Sequence, residues 1–355
     1  MSRFTWKLSN VNRWGKQLQK LPIIFFLICA LVFFAFSNSS KPRVLVLSSY
    51  ATDFAWTKDI NVGLSWTLDK KPYSIQYHYM DTKRNPGAAY KEKAGQLARR
   101  LIERWEPNVI ISIDDNAQEF VAKYFNNHPK IDIVYSGVNA EASAYGFDKA
   151  SNVTGILERI PFLSLKEIFL QILPPDRRRI VHYSDDSETS EAIHQEMADF
   201  DWRPIDLIEH RKVATFEEWK QFIKNSGKIA DFLLITHYHT LRRSSTDDTV
   251  VSPKEVMKWT IENSPIPDIG CWGFYVDDGG MLAVGISPYE MGEVAGKMTT
   301  EILENHRRPS EIPSTKSQNF VMYMRESRLK QYGVDLPKVD TDFAHATTHY
   351  SQSAG

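Results

Sequence analysis

Asp114-Asp115-Asn116 sets two carboxylates and an amide side by side, directly after the apolar run 108–113. Paired carboxylates can do acid–base chemistry, but neighbours on one loop rarely aim both groups at a single bond from opposite sides. Recognition is the simpler expectation. Asn116 or one carboxylate caps the following helix, and the remaining carboxylate holds an ammonium or sugar hydroxyls through charge-assisted hydrogen bonds. Ser49, Tyr50 and Trp56 follow the apolar run 43–47. An aromatic ring there either stacks on a flat or cyclic ligand or packs under the next helix. Gly137 and Asn139 follow the run 132–135. Asn139 can donate and accept, or serve only as a turn residue that tolerates a left-handed backbone.

Later in the chain Tyr183 and Asp185, Thr236 and Tyr238, and Trp272 and Phe274 stand at matching places after apolar runs. Side chains alternate between the faces of a strand, so the spacing alone does not say which of these face a ligand. His237 and His239 are two apart and would share one face of a strand. A metal needs three or four convergent ligands, and no third stands at an interpretable spacing, so the pair reads as partly exposed strand-end histidines and no metal is assigned. Asp81, Lys83 and Arg84 read as a salt-bridged surface or a latch between lobes rather than as ligand contacts. The chain has no Gly-x-Ser-x-Gly elbow, no His-Glu-x-x-His and no glycine-rich phosphate loop, so no catalytic residue and no cofactor is assigned.

Strands and helices must alternate to bring these residues together. Apolar runs at 43–47, 73–80, 108–113 and 132–135 each stop at a polar or aromatic cluster. Between them lie helical stretches such as 88–105, where Tyr90, Ala94, Leu97, Ala98, Leu101 and Trp105 recur at steps of three and four. Such alternation makes a parallel sheet, which binds ligands beyond the carboxyl ends of its strands. A second set begins near Val153, with helices expected over 162–173, 188–200, 216–225 and 253–263, and strands over 179–183, 206–213, 232–236 and 268–274. The fold class expected is therefore α/β with two Rossmann-like lobes. The first spans 41–152 plus about 281–310, the second 153–280 plus about 317–324, and residues 338–355 read as a disordered tail.

The first forty residues carry five basic residues and no acid, followed by an apolar stretch over 21–36. This is the pattern of an export signal, and Ala35-Phe36-Ser37 offers small residues where a signal peptidase reads. Cleavage into the periplasm is expected, the alternative being an inner-membrane tether through residues 21–36. A lipid anchor at Cys29 is disfavoured because Ile28 stands where a small residue is wanted. The whole chain has a net charge of -1, so the exported part is mildly acidic, which argues against a nucleic-acid partner. Only Cys271 lies beyond the signal, so that part forms no intrachain disulfide, and Ile269, Trp272 and Phe274 around it favour burial of the thiol.

Several pieces, in their order and spacing, resemble the type I periplasmic binding fold, within the ABC-type substrate-binding branch that also serves as extracytoplasmic sensor domains of some histidine kinases. They are Ser48-Ser49-Tyr50 with Trp56-Thr57, Met80 through Arg84, Ile113 through Ala117, Ser136 through Asn139, Val153-Thr154-Gly155, Asp248 through Ser252, and Pro288 with Glu290, Gly292, Ala295 and Gly296. The resemblance implies two lobes joined by a multi-crossing hinge, closing on a small solute for the permease of an ABC importer, with a membrane signalling partner, a histidine kinase or cyclase, as the alternative. An aromatic amino acid, a nucleoside-like ring and a sugar fit the candidate residues equally well.

Overall fold

The computed structural model describes residues 41–338 continuously, and outside that span residues 22, 25–31, 33, 341, 342, 350 and 351. Strands β1 (Arg43–Ser48), β2 (Ser74–Tyr79), β3 (Val109–Ile113), β4 (Asp132–Val138), β5 (Val153–Leu157) and the short β11 (Thr315–Lys316) form a parallel sheet in the order β11-β5-β4-β3-β1-β2. The twofold alternation of β1 explains its unbroken apolar run. Val44 and Val46 pack with Ile60 and Leu64 of α1 (Ala55–Leu68), while Leu45 and Leu47 pack with Ala94, Ala98 and Ile102 of α2 (Ala88–Trp105). A strand covered on both faces must be apolar on both.

The second sheet runs β13-β12-β10-β9-β8-β6-β7. Its strands are β6 (Arg179–Asp185), β7 (Asp206–Val213), β8 (Phe232–Ile235), β9 (Asp268–Gly270), β10 (Leu282–Ile286), β12 (Phe320–Arg325) and β13 (Tyr350–Ser351), and only β12 against β10 is antiparallel. Helices α4 (Phe162–Ile172), α5 (Glu188–Asp199), α6 (Phe216–Ile229) and α7 (Pro253–Asn263) connect these strands. A capping box starts α6, where the Thr215 hydroxyl accepts from the Glu218 amide at 3.3 Å and the Glu218 carboxylate accepts from the Thr215 amide at 3.2 Å.

Two strands sit in the opposite sheet from the one expected. Residues 153–157 close the first sheet as β5, where Gly155 allows close approach to β4: a Cβ there would lie 2.2 Å from the Tyr135 carbonyl oxygen. Residues 282–286 belong to the second sheet as β10, where a Cβ on Gly285 would meet the Cys271 carbonyl oxygen at 1.8 Å. The chain then returns as α9 (Pro288–Leu303), which packs on α1 at backbone contact, a Cβ on Gly63 falling 2.1 Å from the Tyr289 carbonyl oxygen. The chain thus crosses between the sheets after β5, after β10 and between β11 and β12. The strand expected over 268–274 stops at Gly270, and Trp272 instead precedes the short helix α8 (Gly273–Asp277). Asp268 folds this corner back by accepting from Tyr275 Oη at 2.6 Å and from the Met281 amide at 3.0 Å. After β12 the chain forms α10 (Glu326–Tyr332).

Most of the expected tail and most of the export segment lie outside the described residues, although β13 pairs with β12 within that tail. Among the described residues no helix is long and apolar enough to cross a membrane.

Candidate functional site

Register fixes which loops meet. Ser48 stands opposite Tyr79 and Ile113, so the segments after β1, β2 and β3 share one edge of the first sheet. They face the ends of β6, β8 and β9 across a cleft. An inner chamber of about 10 Å³ lies there, lined by Tyr50, Trp56, Lys83, Asp114, Glu158 and Trp272, among others. An outer cavity of about 620 Å³ opens beyond it and shares Phe54, Lys83 and Phe274 as walls.

The first lobe supplies the charges. Asp114 precedes α3 (Asp115–Phe120) with a left-handed φ of 64° and makes no side-chain cap. That backbone costs a non-glycine residue about 1–3 kcal/mol and marks a position held by its surroundings. Asp114 Oδ1 accepts from Trp56 Nε1 at 3.1 Å, while its Oδ2 is buried with no hydrogen-bond partner. Glu158 stands at the first crossing, immediately after β5. Its Oε1 accepts from Trp272 Nε1 of the second lobe at 2.8 Å, and its Oε2 accepts from Asn139 Nδ2 at 3.3 Å. Between them Gly137 takes a φ of +63°, and a Cβ there would lie 3.6 Å from Asp114 Oδ1 and 3.7 Å from Glu158 Oε2, so both carboxylates converge on one point of β4. Lys83 is 7% exposed; its Nζ sits 4.9 Å from the centre of the Tyr50 ring and has no hydrogen-bond partner.

The second lobe supplies rings. The His237 ring lies 4.3 Å from that of Trp272, Trp272 stacks on Phe274 at 5.6 Å, and Phe54 of the first lobe meets His239 at 5.1 Å and Phe274 at 5.6 Å. Three further contacts join the lobes: Tyr50 Oη with Thr189 Oγ1 at 3.2 Å, Lys91 with Glu188 at 2.5 Å, and Arg159 with Glu196 at 3.0 Å.

Burial dominates the electrostatics. It raises the Asp114 carboxyl well above the usual range, with Glu158 and Asp115 adding repulsion. Burial, opposed by the Trp272 hydrogen bond, pushes Glu158 up to about 8. Asp185 goes the other way: burial pushes it up, but Lys83 and the hydrogen bonds from the Ser187 and Ser190 hydroxyls together hold it below the carboxylate range. His237 is lowered well below the usual histidine range and His239 to about 3, by burial first and Lys83 second, so both rings are neutral.

Of the residues singled out in the sequence, Tyr50, Trp56, Lys83, Asp114, Asn139, His237, Trp272 and Phe274 line the inner chamber, with Gly137 beneath it. The others serve the framework. Ser49 Oγ donates to the Ile113 carbonyl at 2.8 Å and accepts from the Ala117 amide at 2.8 Å. Asp115 accepts from the Ala140 amide at 3.0 Å, from Tyr145 Oη at 2.9 Å and from Asn139 at 3.3 Å, so it fastens the loop after β4. Asn116 lies inside α3 instead of capping it. Asp185 accepts from Ser187, Ser190, and the His239 and Thr240 amides. Tyr183 packs on Phe222 at 5.6 Å, Thr236 bonds His182 at 2.8 Å, and Tyr238 Oη donates to Asp278 at 2.8 Å. His237 and His239 are buried, contrary to expectation, because the chain after β8 turns inward under Trp272 and Phe274. No described group of His, Cys, Asp or Glu is arranged to hold a metal.

Lys83 overturns the surface expectation for its cluster. Arg84 does pair with Asp81 at 2.8 Å and Asp53 at 3.3 Å, but the hydrogen bonds of Thr82 to the Ser49 carbonyl turn Lys83 inward. Glu158 follows an apolar run just as Asp114 does, but the sequence pattern makes 153–157 the start of the second lobe and so does not place Glu158 at the cleft.

A comparison with curated proteins finds no match. Among solved structures, a conserved domain protein from Vibrio cholerae is similar at 17% identity and a TM-score of 0.67, over 88% of this chain and 100% of its own. An ABC domain from Streptococcus pneumonia solved in complex with L-Trp is similar at 14% identity and 0.64, over 86% and 98%. A ligand-free, open substrate-binding protein with adhesive properties from Clostridium difficile is similar at 20% identity and 0.59, over 84% and 96%. These likenesses show the periplasmic binding protein fold. The family model described as ABC transporter substrate binding protein matches residues 58–339, and the chain belongs to that family.

Proposed function

We propose that this protein is an extracytoplasmic binding protein that closes its two lobes on a small solute and delivers it to an ABC-type importer. One observation carries the reading: Lys83 Nζ and Asp114 Oδ2 are both buried without hydrogen-bond partners in one chamber walled by rings from both lobes. Burying an unpaired charge costs several kcal/mol, and a ligand with a complementary group recovers that cost only when bound. A solute with a flat ring, an anionic group for Lys83 and a donor for Asp114 satisfies all three features, as an aromatic amino acid does. A sugar leaves Lys83 without an anion. The relative solved with L-Trp supports the same class.

The basic stretch before the apolar residues 21–36 supports export, and the crossings between the sheets suit a hinge. Calorimetric titration with L-tryptophan tests the reading. One-to-one binding that Lys83→Met weakens by about 100-fold is expected, in line with about 2–3 kcal/mol for a charged hydrogen bond. Equal affinity in both proteins would remove Lys83 from the site.

A further inference from the structure

Asp114 and Glu158 come from different loops, α3's approach and the first crossing, yet converge on Gly137. Each is held by one indole N–H, Trp56 of the first lobe for Asp114 and Trp272 of the second for Glu158. Asn139 Nδ2 spans Glu158 Oε2 and Asp115 Oδ2 at 3.3 Å each. The groups facing the pair are Lys83 and Tyr50 from the loops after β2 and β1, Asp115 on α3, and Cys271 from the second lobe, with His237 and Asp185 beyond Lys83. Asp115 has four other contacts to satisfy it, and Lys83 is the single cation among these groups, the Arg159 guanidinium beside Glu158 being taken up by the Val138, Asn139 and Glu158 carbonyls and by Glu141 and Glu196. One ammonium cannot neutralise two converging carboxylates.

We propose that the Asp114–Glu158 pair holds a proton that a solute's primary ammonium displaces on binding, so that capture releases a proton to solvent. This rests on the solute-binding reading above and adds to it the group recognised and the linkage to pH. The balance is simple. A carboxyl O–H gives its proton to water, the resulting carboxylate accepts N–H bonds from the incoming ammonium, and the ammonium's charge replaces the proton's, so the charge at the carboxylate pair stays constant. The raised position of both carboxyls agrees with this, Glu158 lying at about 8. Because the ammonium needs the ionised form, affinity rises with pH up to the Glu158 value and falls in acid.

Three probes of one shape separate the possibilities: L-tryptophan, tryptamine, which keeps only the ammonium, and indole-3-propionate, which keeps only the carboxylate. Titration calorimetry in two buffers of different ionisation heat counts protons. About one proton released by each amine, none by indole-3-propionate, and a smaller release in Glu158→Gln and in Asp114→Asn are expected. Binding of either amine without proton release overturns the exchange while leaving solute capture intact. So does tighter binding of indole-3-propionate than of tryptophan. Where none of the three binds, the aromatic amino acid class falls, and infrared spectroscopy of the protein alone decides the pair. A protonated-carboxyl band at neutral pH that is lost in alkali and missing in Glu158→Gln upholds it, and no such band in the wild type overturns it.

Discussion

Two buried aspartates at strand ends, one in each lobe, have opposite circumstances. Asp185 in the second lobe accepts from two hydroxyls and two amides and is held in its charged form. Asp114 in the first lobe accepts from one indole and keeps a buried oxygen with no partner. The contrast extends to their neighbours in the first lobe: Lys83 Nζ, like Asp114 Oδ2, is buried without a hydrogen-bond partner, and Glu158 has one donor on each oxygen, Trp272 and Asn139. A satisfied buried carboxylate is structure; an unsatisfied one is held for something else. On the proposed solute-binding function, the first lobe discriminates and the second closes and excludes water.

That contrast breaks most readily at Asp185. Asp185→Ala should lower unfolding free energy by about 3–5 kcal/mol, since it leaves hydroxyls and amides unpaired, and urea unfolding would read it. Lys83→Met should do the reverse: binding falls by about 100-fold, about 2.7 kcal/mol, while stability changes far less than in Asp185→Ala because Lys83 Nζ has no hydrogen bond to lose. A Lys83→Met protein that unfolds as easily as Asp185→Ala would erase the difference between the edges.

Trp272→Phe should weaken solute binding by about tenfold, near 1.4 kcal/mol, by removing the indole N–H that ties Glu158 to the second lobe; a stopped-flow dissociation rate would register it. Glu158 also gives a pH signature. Its folded value lies above its unfolded one, so its contribution to stability is complete in acid and is lost as pH rises toward about 8; Glu158→Gln should flatten that decline in thermal melts. The smallest effect belongs to Arg84→Ala, within about 0.5 kcal/mol in stability, because its pairs with Asp81 and Asp53 are solvent-exposed.

Element types were legible wherever periodicity was strong. Residues 88–105 form α2 and residues 206–213 form β7, as the sequence pattern predicts. Sheet membership was less legible, because β5 and β10 reach their neighbours through Gly155 and Gly285, and a glycine advertises close approach without naming the partner. The rule that ligands gather after apolar runs points to Tyr50, Trp56, Asp114 and Trp272, which line the inner chamber. It could not separate Asp114 from Asp115, because the difference lies in Tyr145 and the loop after β4, thirty residues away in the chain. Lys83 was hidden among charges that do lie on the surface, since its inward turn depends on the bonds of Thr82 to the Ser49 carbonyl.

Native mass spectrometry of the wild type and Lys83→Met, each incubated with the small-molecule fraction of its own culture medium, tests the central claim most directly. A first-lobe edge built to bind predicts one small organic adduct per wild-type chain, released on denaturation and absent from Lys83→Met. A bare chain mass in both proteins, or the same adduct on both, would contradict it.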